Sequence, residues 1–411
     1  MYKLNTVLRP YAWGSTTAIA ELLGREPSGG PEAELWIGAH PGAPSRVSIA
    51  GREESLDQLI SEQPEQALGA ASRQAFGDRL PFLMKVLAAQ KALSLQVHPT
   101  LAQAAAGFKA EDDAGVPREA DHRNYKDDNH KPEMIFALTP FEALCGFRAA
   151  AESLAIFRQL EQRAQAANTE FPVLLREVCA ALESSESSAA LRRAFELLIT
   201  GGEQAKSALL SVVALLDSEP STEPFQQAFA TVVELNSQFP GDIGALISLL
   251  LNRVHLEPGE SLAMPAGNVH AYLHGLGIEV MASSDNVLRG GLTPKFVDVP
   301  ELLRTIDFRE LPVPTVTATE TELGQELYLP GFSEFQLQRI VIEAAAEPTA
   351  LAQNGAALIL VTAGTAVLDS PQGDLSLVRG ESAFIPAVEA PVMVHSSTGC
   401  TAFAVTTNLG A

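Results

Sequence analysis

Two stretches of this chain spell one rhythm. PGESLAMPAGNVHAYLHGLGIEVMA begins at Pro258, and RGESAFIPAVEAPVMVHSSTGCTAFAV begins at Arg379. Each reads Gly-Glu-Ser, three mostly apolar residues, Pro-Ala, and then a further strand. A Gly-Glu turn feeds a strand, and a Pro turn ends it. A strand–turn–strand unit that recurs predicts a sheet architecture built twice. The copies differ at one position. Five residues past the proline, the first has His270 and the second has Pro391, so only the first retains a candidate ligand there.

This pattern is the sequence form of a cupin, a double-sheet jelly-roll barrel. The rest of the chain fits around two such units. Residues 1–148 mix short strands, turns and a few helices. ELWIGAHPGAPSRVSI gives strand-like runs broken by Gly and Pro, SLDQLISEQPEQAL reads as a short helix that Ser55 can cap, and LPFLMKVLAAQKALSLQVHP supplies two strands around Gln90 and Lys91. From 149 to 250 the period changes to helical: Leu154, Phe157, Leu160 and Ala164, then Leu174, Val178 and Leu182, then Leu191, Phe195 and Leu198, then Phe225, Phe229 and Val232. These predict amphipathic helices in a satellite domain whose polar residues show no chemical clustering. The expected fold is mainly β with an α insertion: two cupin-type jelly-roll barrels plus a helical domain. Residues 1–148 and 251–311 form the catalytic unit, 149–250 the helical domain, and 312–411 a C-terminal cupin-like domain without metal.

Charge narrows the partners. Among 411 residues, Lys plus Arg is 28 and Asp plus Glu is 50, for a net charge of −22. Such a field repels nucleic acid and anionic membranes. A phosphorylated substrate then needs a local pocket of Lys and Arg. Cys145, Cys179 and Cys400 are odd in number and widely spaced, which predicts no disulfide framework and a reducing cytoplasm. MYKLNTVLRPYAWGS has no apolar core of a signal peptide, and the longest apolar run, LISLLLNRV, is too short to span a bilayer.

The chemistry starts at KALSLQVHPT, Lys91–Thr100. Residues two apart on a strand share a face, so Gln96 and His98 point one way, and Leu95 and Val97 the other. A lone histidine here is more often a satisfied core residue, and the case for a metal rests on further ligands. Glu133 in DDNHKPEMIFAL stands at the head of an apolar strand, where a carboxylate needs a partner or a cation. His270 follows the Pro-Ala turn. His274 and His130 are rival ligands. Two imidazoles, a carboxylate and an amide oxygen make a ligand set for Zn²⁺. A second constellation is IEVMASSDNVLRGGLTPKFVDV, with Glu279, Asp285, Arg289 and Lys295. The two glycines after Arg289 would let backbone approach a ligand closely. Lys85, Lys126 and Lys131 could join the cations into a patch suited to phosphate.

Over its whole length the chain resembles the type I phosphomannose isomerases of the cupin superfamily. YAWGS, ELWIGAHP, PFLMKVLAAQKALSLQVHP, NHKPEMIFAL, FEALCGFR and PGESLAMPAGNVHAYLHGLGIEVMASSDNVLRGGLTPK carry the resemblance. It departs in LRGG, where an alanine is more usual in the family, and in His274. The resemblance implies Zn²⁺ held by Gln96, His98, Glu133 and His270, with Arg289 as the catalytic arginine. It also implies a pocket lined by Lys131, Lys85, Tyr272, Glu279, Asp285 and Lys295, with Trp13 and Ser94 near it. The implied reaction is the reversible interconversion of mannose 6-phosphate and fructose 6-phosphate through an enediol, in mannose metabolism and GDP-mannose biosynthesis. Glu279, Asp285 and Lys131 are open candidates for the base, and either Arg289 or Lys295 could hold the phosphate. The implied partner is a hexose 6-phosphate, and the expected state is a cytoplasmic monomer. The rival readings are an Fe²⁺-dependent cupin oxygenase and a non-catalytic sugar-phosphate-binding cupin.

Overall fold

The computed structural model describes residues 1–49, 51–218 and 224–409. Among these residues a ten-stranded sheet holds the centre, and its hub is the 13-residue strand His270–Ala282. Along one edge the hub pairs antiparallel with Phe82–Ala89. Along the other it pairs first with Phe141–Phe147 and then with Glu133–Ala137. The switch of partner falls at glycines. Gly275 has φ +129°, and a Cβ there would stand 2.5 Å from the Phe141 ring. At Gly277 a Cβ would come within 2.7 Å of the Ile135 side chain. Only residues without side chains let two strands crowd this turn of the hub.

The short strand Leu95–Val97 joins this sheet between the hub and Leu288–Gly291. Leu95 and Val97 are fully buried in an apolar cluster with Leu160, Phe195 and Val232 of the helical segment. Gln96 and His98 therefore face the opposite way, as the alternation predicts. The helices are Ala150–Ala166, Val173–Leu182, Ser187–Thr200, Gly202–Ser218 and Gln226–Gln238. Every predicted apolar position falls on one of them except Phe225, which precedes its helix in a left-handed conformation at φ +70°. The helical core is continuous with the strands that carry Gln96 and Arg289, since Leu288 and Leu292 belong to it.

Among the described residues the second sheet has twelve strands, mostly from the C-terminal segment. It is extended by N-terminal strands: Tyr2–Asn5 pairs with Ser382–Ile385 and with Arg46–Ile49. A shared core of Ile37, Phe82 and Val86 with Leu337, Leu358 and Phe403 joins the two sheets. In both, the strand order runs from edge to edge and the described strands do not close into a barrel. The sequence repeat has a structural counterpart. Strands Ser261–Met264 and Ser382–Ile385 each start at the serine of Gly-Glu-Ser, after glycines at φ +98° (Gly259) and +87° (Gly380). SLDQLISEQPEQAL forms two helices, Leu56–Glu62 and Pro64–Leu68, because Pro64 starts a new one. Ser55 stands at the cap position, but its hydroxyl donates to Gln58 Oε1 at 2.9 Å. No helix among the described residues is long and apolar enough to cross a membrane.

Candidate functional site

Three strand ends bring the ligand candidates together. Glu133 opens Glu133–Ala137, His270 opens the hub, and His98 directly follows Leu95–Val97. Each of the three is only 1% exposed. One ligand atom from each lies within 4.8 Å of the others, and no other such group of His, Cys, Asp and Glu occurs among the described residues. His270 Nε2 is 3.0 Å from Glu133 Oε1, and His98 Nε2 is 3.4 Å from Glu133 Oε2.

The backbone sets both imidazole tautomers. His98 Nδ1 is 2.8 Å from the carbonyl of Asn286, and His270 Nδ1 is 3.0 Å from that of Asn268. A carbonyl only accepts, so each Nδ1 carries the proton and each Nε2 presents its lone pair. Both Nε2 atoms and Glu133 Oε2 are buried without a hydrogen-bond partner. Burial, with Lys131 beside it, pushes His98 down to about 4, which keeps it neutral at physiological pH. Burial alone would raise Glu133, but Lys131 at 3.2 Å and the two imidazoles outweigh it and hold the carboxyl well below its usual range. Two imidazoles anchored through Nδ1 with Nε2 turned toward an ionised carboxylate are a donor set that fits a divalent cation. The Gln96 amide faces the same cavity. The rivals lie elsewhere: His130 is 2.5 Å from Glu334, and His274 is exposed.

A cavity of about 610 Å³ opens in front of this cluster. On one wall the ammonium of Lys85 is 2.8 Å from Glu279 and 3.6 Å from Glu34, all buried. Trp36 Nε1 donates to Glu34 at 2.7 Å, and Lys85 sits 5.2 Å from the Trp36 ring. Burial opposes the charge on Lys85, but Glu279 and Glu34 outweigh it and keep the amine protonated. Burial pushes Glu279 up; Lys85 counters it, while Glu133 adds to the rise. Tyr272 donates to Glu133 Oε1 at 3.3 Å, and burial raises its phenol far above the ordinary value. Trp13 and Ser94 line the cavity, each half-buried. Asp285 lines it too, exposed, with His40 Nε2 3.7 Å away.

Arg289 and Lys295 line the same cavity. Arg289 is half-buried, and among the described residues neither cation has a carboxylate within 4 Å, Asp121 acting on Lys295 only from further away. Burial lowers both, and Arg289 and Lys126 lower Lys295 further, against a smaller opposing pull from Asp121. Concentrated unpaired positive charge in a chain of net charge −22 makes a local anion site. The glycines after Arg289 serve packing, contrary to the sequence expectation. A Cβ on Gly291 would lie 3.0 Å from Gly244 Cα, and one on Gly290 would face Leu302 and Leu95.

Sequence reasoning missed several wall residues. Glu34 and Trp36 lie in ELWI, two apart on a strand paired with that of Lys85, so alternation could have found them. Gln238 and Phe239 also line the cavity, from the helical segment that had shown no chemical signal. Gln238 Oε1 accepts from the Ala92 N–H at 2.7 Å. Nothing local in the sequence marks that long-range contact.

The first 150 residues match the model of the phosphomannose isomerase type I catalytic domain. Mannose-6-phosphate isomerase of Escherichia coli (strain K12) is 40% identical over 397 residues, covering 96% of this chain and 97% of the relative. This chain belongs to the type I phosphomannose isomerases. The family extends to mammals: mannose-6-phosphate isomerase of Rattus norvegicus is 31% identical over 423 residues and covers 96% of this chain and 95% of that one. A crystal structure of a mutant phosphomannose isomerase from Salmonella typhimurium, 36% identical, aligns over 100% of both chains with a TM-score of 0.87. A zinc-bound holo structure of mannose 6-phosphate isomerase aligns over 99% of both, at 35% identity and a TM-score of 0.85.

Proposed function

We propose that the chain catalyses the reversible isomerisation of mannose 6-phosphate and fructose 6-phosphate with one Zn²⁺ held by His98, Glu133, His270 and the Gln96 amide oxygen. One observation carries the reading: Glu133, whose Oε2 is buried without a partner beside the two equally partnerless imidazole nitrogens, lines the same cavity as the cations Arg289 and Lys295. Bound zinc supplies Lewis acidity and positioning for a sugar oxygen. The chain's own groups do the rest. Lys295, with Lys126 behind it, attracts the phosphate. Arg289 stabilises negative charge that develops on the sugar oxygens as the proton leaves C2. Glu279 carries that proton to C1, since its buried, raised carboxyl is poised nearer neutrality than an exposed one. Lys85 and Lys131 offset the accumulated negative charge. Asp285, exposed at the cavity edge, orients substrate rather than moving the proton. Tyr272, Trp13 and Ser94 shape the sugar site.

The proposed architecture is a pair of cupin-type jelly rolls. The catalytic unit comprises residues 1–148 and 251–311, the helical domain 149–250, and the metal-free unit 312–411. The proposed setting is the cytoplasm, as a monomer in mannose metabolism on the branch toward GDP-mannose, with no nucleic-acid or membrane partner. Three buried free cysteines support a reducing compartment. The test is a coupled isomerase assay on chelated protein, repeated with one equivalent of Zn²⁺. Activity should vanish and return. Full turnover without metal removes the zinc assignment, and binding of mannose 6-phosphate without turnover by zinc-loaded protein favours a binding module.

A further inference from the structure

Asp242 lies in the turn after helix Gln226–Gln238, outside the cavity, yet it holds the loop that carries Lys295. Its Oδ1 accepts from the N–H of Leu292 at 2.8 Å and of Gly244 at 2.8 Å, and its Oδ2 accepts from the N–H of Thr293 at 3.1 Å. Thr293 Oγ1 in turn accepts from the N–H of Lys295 at 3.2 Å. No Lys or Arg pairs with Asp242 among the described residues; its carboxylate is bonded to backbone alone. Carboxylate bonds to backbone N–H groups are short, strong and directional, so they fix a loop's geometry.

The loop needs such a hold. Leu292 adopts φ +54° and Gly291 φ +133°. A left-handed leucine is unfavourable by itself and persists only where its surroundings over-determine it. At Gly291 a Cβ would also strike Asp242 Oδ1 at 3.0 Å. The clamp therefore demands a glycine at 291 and compels the left-handed turn at 292, which aims the chain through Pro294 to Lys295 at the cavity edge. A flexible lysine binds a dianion well only if its backbone is already in place.

We infer that Asp242 is a positioning residue, contributed by the helical insertion, that presets Lys295 for the phosphate of the substrate. The inference rests on the reading of Lys295 as phosphate anchor. Steady-state kinetics of zinc-loaded Asp242→Ala, Lys295→Ala and the double variant test it, with inorganic phosphate as competitive inhibitor. Asp242→Ala should raise KM and the phosphate Ki together by about tenfold, the scale of one lost charge-assisted hydrogen bond, with kcat within about threefold of wild type. Because both residues act on one interaction, the double variant should be no worse than Lys295→Ala. Asp242→Asn retains a carbonyl acceptor and should show a smaller rise; it serves if the alanine variant misfolds. Residue 242 acting only as glue would lower Tm and leave KM and Ki untouched, which overturns the inference. So does an undiminished Asp242 effect in the Lys295→Ala background. A wild-type KM in Lys295→Ala overturns the phosphate reading and the inference together. A raised KM there beside a wild-type KM in Asp242→Ala overturns the inference alone.

Discussion

His270 and Gln96 are cross-strand register partners, and Gln96 is paired on its other edge with Arg289. One three-residue strand thus sets the metal side against the cation side. A slip of one residue would turn Gln96 into the helical core and Leu95 or Val97 into the site. Full burial of Leu95 and Val97 among the helices resists that slip.

The zinc site depends on a turn that touches no metal. The Asn286 carbonyl receives the His98 Nδ1–H, and the Asn286 amide donates to the carbonyls of Asp127 at 2.7 Å and Asn129 at 2.8 Å. Its side-chain oxygen accepts from the Lys126 N–H at 2.7 Å. Asn286→Ala should weaken zinc binding by about 10- to 100-fold, the usual effect of losing an outer-sphere partner of a ligating histidine. Competition with a chromogenic chelator measures it. Unchanged affinity would mean that the backbone alone holds the His98 ring.

The contact between the two sheets should respond to acid. Glu334 is 2.5 Å from His130. Burial alone would raise the Glu334 carboxyl, but His130 outweighs it and the net shift is downward from 4.5. A depressed folded value means stability present above the unfolded pKa and lost as pH falls through the folded one. Glu334→Gln should therefore be less stable than wild type by about 1–2 kcal/mol at neutral pH, the scale of a hydrogen bond to a charged group. Below pH 4.5 the gap should close. Urea denaturation across pH decides it, and a gap that widens in acid contradicts the assignment.

The legible parts of this molecule were the local ones. The alternation in KALSLQVHPT separated Gln96 and His98 from Leu95 and Val97, because a strand has only two faces. The helical period located the helices, because their apolar stripes are long. Strand Tyr2–Asn5 gave no sign that it completes the sheet of the C-terminal segment, because pairing across almost the whole chain leaves no local pattern. Gln238 and Asp242 were hidden for the same reason. The glycines at 290 and 291 stood out, but their purpose did not; a glycine shows that space is short without showing what fills it.

The chain should hold one zinc. In the second repeat Pro391 replaces the histidine, and His395, 3.4 Å from Asp369, is 41% exposed on its side chain. Zinc measured by mass spectrometry after dialysis should be about one per chain and should fall toward zero in His98→Ala and in His270→Ala. A tightly held ion that survives both substitutions would place a second site in residues 312–411.

Arg289 and Lys295 should separate in kinetics although they line one cavity. Arg289 is half-buried, follows a fully packed Leu288, and stands in backbone register with Gln96, beside the proposed metal ligands. Lys295 is exposed and lies beyond the Gly291–Pro294 turn. A group that stabilises charge only in the transition state affects kcat, whereas one that binds substrate and transition state alike affects KM. Arg289→Ala should lower kcat by roughly 10²- to 10³-fold, as for the loss of one oxyanion donor, with a much smaller change in KM. Lys295→Ala should raise KM with kcat nearly unchanged. Zinc content should stay at the wild-type level in both, since neither is a proposed ligand. Arg289→Lys should recover little, because an ammonium keeps the charge but loses the planar fork that can bond two oxygens at once. If Arg289→Ala raises only KM, the arginine is a phosphate clamp, and stabilisation of the developing charge passes to Lys131, 3.2 Å from Glu133 on the metal side of the cavity.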